Sequence, residues 1–139
     1  MPKINKTQRS SNSEIRPTQI NPKGVTFSLK FFNDTHDKFC STDRDPDYWQ
    51  TLLKRLKDLS GLTALEMMTN NSPALRCHPI AWSDTSEFSF GIPNEEQLVG
   101  NPYQFSLSSN AHGRVHGFFI NEVFYIVWLD PNHLLYSAK

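Results

Sequence analysis

Two strand-like runs separated by two polar residues most constrain how the C-terminal part of this chain can fold. Residues 112–120 form the first run, and residues 123–129, which are apolar throughout, form the second. Asn121-Glu122 has the length of the tight loops that join hairpin strands. A continuous apolar run is typical of a strand buried on both faces. Residues 103–107 alternate apolar and polar side chains, which predicts a further strand with one solvent-exposed face.

A helix is predicted to begin after Asp45, because this N-cap type is followed by Pro46, which suits the first helical position. Gly61 suits the end of that helix. The apolar residues that share one helical face are Tyr48, Trp49, Leu52, Leu53, Leu56 and Leu59. The residues assigned to the opposite, solvent-facing side are Lys54, Arg55, Lys57 and Asp58.

A second, shorter helix is predicted from Thr63, because Thr63 and Glu66 have the spacing of a capping box. A strand is predicted at 25–29, an extended segment at 74–82, a helical turn at 94–99 and a short last strand or tail at 133–136. This order predicts an α+β fold, in which a helix pair packs on a small, mainly antiparallel sheet that ends in a C-terminal β-hairpin.

The chain divides by composition into residues 1–23 and residues 24–139. The first segment has five Lys or Arg residues against one Glu and few apolar side chains, so we predict a disordered basic tail. The rest is long enough for one α+β domain, with Phe, Tyr and Trp supplying much of the core. The whole chain has no net charge, so total charge gives no sign of nucleic-acid binding.

Several classes of protein are disfavoured by missing motifs. The two cysteines form no CxxC pair, and the longest apolar run, 123–129, is too short to span a bilayer. The chain shows no apolar leader, so we expect a cytoplasmic protein with no membrane association. Phosphate-cradling and dinucleotide-binding glycine motifs are absent, and no cofactor is predicted.

The candidate site residues are gathered near the predicted hairpin. Alternation along a strand places His112, Arg114 and His116 on one face, and the following turn delivers His133 beside them. Regular pairing around the hairpin loop would set Phe118 opposite Tyr125, His116 opposite position 127 and Arg114 opposite position 129. Arg76 and His78 have the same spacing on the segment 74–82. If that segment joins the sheet, two Arg-His pairs face one cleft.

Such a cluster can support metal-independent cleavage of RNA. One histidine takes the proton of the attacking 2′-hydroxyl and another protonates the leaving 5′-oxygen. Arg114 or Arg76 stabilises the charge that develops on the phosphate. Tyr125 or Tyr136 stacks a base or donates a proton. The predicted catalytic residues are His112, Arg114, His116, His133 and Tyr136, and the predicted substrate-binding residues are Arg76, His78 and Tyr125.

Simpler interpretations exist for each of these residues. A histidine on a strand is commonly a buried side chain with a hydrogen-bonding partner. Arg114 can form an ion pair with Asp130 across the hairpin, and residues 130–132 have the composition of a turn. A metal site formed by His112, His133 and Asp130 is geometrically allowed, but no metal is assigned.

The C-terminal features resemble the RelE/ParE-like toxin superfamily. The resemblance is carried by residues 103–107, 112–129 and 130–136. Members include ribosome-dependent messenger-RNA endonucleases and gyrase inhibitors, usually paired with an antitoxin. The resemblance implies that Arg114, His133 and Tyr136 occupy positions where such enzymes keep catalytic Arg, His and Tyr residues. The acidic body and the irregular segment 83–101 depart from the pattern of these toxins.

Two functions therefore follow from the sequence. The first is a small RNase-like toxin or RNA-processing protein of a mobile element or defence locus, with RNA and a cognate antitoxin as partners. The second is a non-enzymatic protein-protein interaction module, such as an antitoxin, an inhibitor or a phage or defence accessory protein. In that second case an aromatic loop forms the contact patch, because exposed aromatic residues commonly mark interfaces. The residues of this predicted patch are Trp82, Phe88, Phe90 and Ile92.

Overall fold

The computed structural model describes residues 22–70, 72–108 and 111–136. Apart from its last two residues, the predicted disordered tail 1–23 lies outside the described residues. The elements, in chain order, are β1 (Thr26–Ser28), α1 (Pro46–Leu59), α2 (Ala64–Met68), β2 (His78–Pro79), a 3₁₀ turn (Trp82–Asp84), α3 (Glu95–Leu98), β3 (Pro102–Ser106), β4 (Arg114–Ile120) and β5 (Val123–Asp130). None of these helices combines the length and apolar character that crossing a bilayer requires.

The five strands form one mixed sheet in the order β1-β5-β4-β3-β2. β1 lies parallel to β5, and the other neighbouring pairs are antiparallel. Asn121 and Glu122 connect β4 to β5 as a tight hairpin. The α+β class predicted from the sequence is confirmed.

The two helix starts follow local capping chemistry. The Asp45 side chain accepts a hydrogen bond from the backbone N–H of Tyr48 at 3.1 Å, and proline occupies the first turn of α1. Thr63 and Glu66 form the reciprocal hydrogen bonds of a capping box at α2. Both helix starts therefore agree with the sequence.

Buried residues form two apolar clusters. The first joins helix residues such as Leu52 and Met67 to sheet residues such as Phe124 and Val115. The second, which we call the loop-side cluster, joins sheet residues to side chains of the connecting segments. Its buried members are Phe39, Ile80, Phe90, Phe118, Val127, Trp128 and Leu135.

A bulge in β5 changes the pairing predicted for the hairpin. Phe118 pairs with Tyr125 as predicted, but His116 pairs with Trp128 and Arg114 with Asp130. The register shifts between His116 and Gly117, so β5 carries one extra residue. Because strand side chains alternate between faces, one extra residue turns every later side chain to the other face. The bulge thereby places Asp130 on the face that carries Arg114 and His116.

Two predicted extended segments form shorter strands than expected, and a third forms no strand. β4 begins at Arg114, so His112 lies in the loop before the strand. In the segment 74–82 only His78 and Pro79 are strand residues, although Leu75 and Ile80 also form backbone hydrogen bonds with β3. Residues 133–136 are not a strand, because the backbone N–H groups of Leu134 and Leu135 are hydrogen-bonded to the Asp130 side chain. These hydrogen bonds fold the segment into a turn.

Candidate anion-binding site

Arg114 is a buried cation without a carboxylate of its own. The residue is 7% exposed, and its only described hydrogen bond runs from Nη1 to the carbonyl oxygen of Gly113 at 3.2 Å. Its Nε is buried and has no partner among the described residues. The ion pair with Asp130 suggested by the sequence does not form, although the two residues are opposite in register. Asp130 bonds elsewhere.

Asp130 is paired with His116 instead. Both residues are fully buried, and His116 Nε2 donates to Asp130 Oδ2 at 3.0 Å. Burial lowers the pKa of His116 and outweighs the opposing effect of the Asp130 hydrogen bond. Burial raises the pKa of Asp130, but the His116 hydrogen bond and the backbone N–H groups of Leu134 and Leu135 lower it further, and the net direction is down.

The prediction that His116 is catalytic is therefore corrected. Its ring is 0% exposed and lies edge-on to Phe39 and Trp128, with ring centroids 5.9 and 6.2 Å away. A side chain enclosed in this way cannot contact a substrate. His116 holds Asp130 in place, and Asp130 in turn shapes the turn that carries His133.

A cavity of about 570 Å³ opens beside Arg114. It brings together polar side chains from four separate parts of the chain. Those that bear on its chemistry are Arg76, His78, Gln104, Arg114, His133 and Tyr136. His133, rather than His116, thus joins Arg114, Arg76 and His78 in one cleft.

The segment that carries Arg76 is held in place by short-range hydrogen bonds. The Asn70 side chain accepts from the backbone of Ser72 at 2.7 Å, and the carbonyl of Ser72 accepts from the backbone N–H of Arg76 at 3.0 Å. Arg55, on α1, donates to the carbonyl oxygens of Ala74 and Leu107 at 3.1 and 3.0 Å. The sequence pattern assigned Arg55 to the solvent-facing side of α1. In the structure its guanidinium instead links this segment to Leu107, the residue that follows β3.

The charge of the cavity is uniformly positive. No Asp or Glu lines it among the described residues, whereas Arg76 and Arg114 both do. Burial lowers the pKa of Arg114, and the nearby positive charge of Arg76 lowers it further. Partial burial of the ring, followed by the charge of Arg114, lowers the pKa of His133. Two guanidinium groups that line one cavity with no carboxylate among its described lining residues favour an anionic ligand.

The backbone around the cations is strained. Arg76 and His133 have φ angles of 50° and 56°, and His112 has 69°, all in the left-handed region that side-chain-bearing residues seldom adopt. Each such residue costs of order 1–3 kcal/mol and persists where the surrounding structure enforces it. Strain of this kind concentrates at functional sites, and here it coincides with the residues of the cleft.

Comparison of the chain with protein-family models, curated proteins and solved structures gave no match. The functional argument therefore starts from the geometry of the cleft.

A second, smaller cavity of about 400 Å³ adjoins the first, and Arg76, Arg114 and His133 line both. His112 lines only this second cavity. Its Nε2 lies 2.9 Å from the carboxylate of Asp47, and its Nδ1 lies 3.3 Å from the hydroxyl of Ser108. Of the five residues predicted as catalytic, Arg114, His133 and Tyr136 share the first cavity, His112 borders the second, and His116 is buried.

The predicted substrate-binding residues do not all line the cavities either. Arg76 and His78 line the first cavity, and the Nδ1 atom of His78 is 2.9 Å from the carbonyl oxygen of Pro79, which requires the proton on Nδ1. Tyr125 lines neither of these cavities, because it stacks on Phe118 with a centroid distance of 5.2 Å. Tyr125 is part of the packing around the loop-side cluster.

The aromatic patch predicted for a protein partner is largely used in the fold. Phe90 is 4% exposed and packs against Trp128, and Trp82 and Ile92 pack against the same loop-side cluster. Phe88 alone of the four is fully open to solvent, at 95% exposure. The predicted patch is therefore corrected: of its four side chains, only that of Phe88 is fully exposed.

Gln104 is the cleft residue that sequence reasoning missed. It is 3% exposed and pairs in register with both His78 and His116 across the sheet. Its amide nitrogen donates to His78 Nε2 at 3.0 Å, which fixes the orientation of that ring. Its position on the polar face of an alternating strand was the available signal, but that face was predicted to be solvent-exposed.

Proposed function

We propose that this protein binds the phosphate of an RNA strand between Arg76 and Arg114 and cleaves it without a metal. The observation that carries the proposal is the pairing of two guanidinium groups with two histidines in one cleft that has no carboxylate among its described lining residues. Guanidinium groups match the oxygen geometry of phosphate, and Arg114 has donors to spare.

In the proposed reaction the 2′-hydroxyl of the RNA attacks the neighbouring phosphorus. His133 takes the hydroxyl proton, a role suited to an imidazole whose pKa is lowered by its partial burial and by Arg114. The bond from phosphorus to the 5′-oxygen breaks, and the hydroxyl of Tyr136, which lines the same cavity, gives a proton to that oxygen. Arg76 and Arg114 stabilise the added negative charge on phosphorus. The products are a 2′,3′-cyclic phosphate and a free 5′-hydroxyl.

A toxin role is part of the same proposal. Arg114, His133 and Tyr136 are the residues that the RelE/ParE resemblance implies, and all three line the cavity. This juxtaposition supports the toxin interpretation, in which an antitoxin restrains the activity. The neutral overall charge of the chain favours an RNA substrate held by the cleft itself over one attracted by the whole surface.

The test is cleavage of a labelled single-stranded RNA by the purified full chain in EDTA. We expect a 2′,3′-cyclic phosphate product, and at least a 100-fold lower rate for Arg76→Gly and His133→Asn, since losing a charge-stabilising donor costs about 10²–10³-fold and losing a proton-transfer group about 10²–10⁴-fold. Both replacements tolerate the left-handed backbone at these positions, so both variants should fold.

Lys57→Gln is the matched control for charge, because this exposed residue of α1 lies away from the cleft. It should cleave as fast as the wild type. Cleavage that survives both cleft substitutions, with unfolding midpoints equal to the wild type, would refute the proposed catalytic roles. Wild-type protein that neither cleaves RNA nor binds phosphate would refute the function as a whole.

A further inference from the structure

The cleft has two compartments that share one cation cluster. The larger cavity contains the rings of His78 and Tyr136, and the smaller one contains His112 and Asn132. Arg76, Arg114 and His133 belong to both. We refer to them as the inner cavity and the outer cavity. An anion held by the shared residues therefore borders open space in both the inner and the outer cavity.

That arrangement distinguishes two kinds of phosphate ligand. A terminal phosphate carries one organic group, and a single cavity beside the cations is enough to hold it. An internal phosphodiester carries two organic groups that leave the phosphorus in different directions. It needs space for both of them beside the cation cluster. Cavities of about 300–1,000 Å³ accommodate organic ligands, and the inner and outer cavities, at about 570 and 400 Å³, fall in this range.

The outer cavity is also chemically suited to a nucleoside. Asn132 supplies amide donors and acceptors at its edge. Gly113, whose φ is 73°, also lines the outer cavity. Because glycine has no side chain, only its backbone faces the cavity. The only carboxylate bonded to one of its described lining side chains is that of Asp47, which is exposed and lies on the Nε2 side of His112.

We propose that the outer cavity is a second nucleoside subsite, so that the cleft takes an internal phosphodiester of single-stranded nucleic acid with one nucleoside in each cavity. This inference rests on the proposed function and deepens it, because it assigns the outer cavity to the second nucleoside of the phosphodiester. The inner cavity holds one nucleoside against Tyr136 and His78. The outer cavity holds the other against His112 and Asn132.

The test compares four probes by equilibrium binding to the full chain. They are inorganic phosphate, uridine 3′-monophosphate, uridine 5′-monophosphate and a 2′-deoxy dinucleotide, which lacks the attacking hydroxyl and is not cleaved. We expect the dinucleotide to bind at least 10-fold more tightly than either monophosphate. The His112→Asn and Asn132→Ala double variant should lose that gain and bind at least one of the monophosphates as the wild type does.

Asn101→Ala is the matched control, because this exposed asparagine lines neither cavity. It should keep the full preference for the dinucleotide. A dinucleotide that binds no better than both monophosphates would overturn the second subsite, and so would a double variant that retains the preference. If inorganic phosphate binding were unaffected by Arg76→Gly, the proposed function itself would fail, and this outcome is separate from the other two.

Discussion

His116 and Asp130 illustrate how one buried pair can decide what a neighbouring residue does. If Asp130 bonded to Arg114, the guanidinium would be neutralised inside the fold. Because His116 satisfies Asp130 at 3.0 Å, Arg114 stays available to the cavity. Removing the His116 ring should cost about 1–3 kcal/mol, since the buried Asp130 carboxylate then keeps only the hydrogen bonds from the backbone N–H groups of Leu134 and Leu135. The pair is therefore a structural support for an anion site.

The same pair makes stability depend on pH. The pKa of folded His116 is lowered, mainly by burial, so the unfolded chain binds more protons near and below the ordinary histidine pKa of about 6.5. The stability from neutral, buried His116 is complete above that pH and is lost as the pH falls. Asp130, whose net pKa shift is also downward, adds a loss at more acidic pH, below about 4.

We therefore expect the free energy of unfolding to fall between pH 7.5 and pH 5.5, approaching about 1.4 kcal/mol per pH unit for one proton. His116→Gln should reduce this slope, because an amide can still donate to Asp130 and does not titrate. Urea unfolding at a series of pH values measures it. His133→Gln serves as the comparison, since that ring is exposed and should affect the slope less. Equal slopes for wild type and His116→Gln would contradict the argument.

Among the elements, the β4–β5 hairpin determines the site. Its loop and its first pairs follow from the sequence, because Asn121-Glu122 separates two strand-like runs of matching length. The bulge does not, since a continuous apolar run such as 123–129 gives no alternation that would mark an extra residue. The error of one residue moved Asp130 to the wrong face and hid its bond to His116.

The cleft could be predicted only in part for related reasons. The grouping of Arg76, His78, Arg114 and His133 followed from strand spacing, and the structure brings all four together. Burial of His116 could not be inferred, because it depends on Phe39, which comes from a loop distant in sequence. The role of Arg55 was missed because helical periodicity shows which face a residue occupies but not what a passing loop offers it.

Gly113 provides a test at the level of the hairpin. Its φ is 73°, and a Cβ there would collide with the carbonyl oxygen of Asp130. That carbonyl also accepts from the backbone N–H of His133, so a shift there would disturb the turn. We expect Gly113→Ala to lower the free energy of unfolding by at least about 2 kcal/mol.

Gly100→Ala is the control for this prediction, because a Cβ at Gly100 meets nothing within 4 Å. It should change stability by no more than about 0.5 kcal/mol. Thermal or urea unfolding of the two variants and of the wild type measures these differences in stability. Comparable stability of the two alanine variants would show that the close approach of Gly113 to Asp130 is not maintained in solution.

Across the whole molecule, charge is arranged so that the cleft and the surface act separately. The chain has 14 basic and 14 acidic residues, so it has little long-range attraction for a polyanion. Five of the basic residues lie in residues 1–23, nearly all of which fall outside the described part. If the cleft alone binds the nucleic acid, affinity should depend on salt through Arg76 and Arg114 and little else.

Counterion release predicts how steeply the binding affinity should depend on salt concentration. Each phosphate neutralised on a single strand contributes about −0.7 to the slope of log K against log salt concentration. One phosphate held by both arginines predicts a slope near −0.7 for an uncleavable 2′-deoxy oligonucleotide, and Arg76→Gly should bring the slope closer to zero, because one of the two charges facing that phosphate is removed. Fluorescence anisotropy between 50 and 300 mM salt measures both slopes. A wild-type slope steeper than about −3 would instead assign binding to the basic N-terminal residues, and deletion of residues 1–21 would then flatten it.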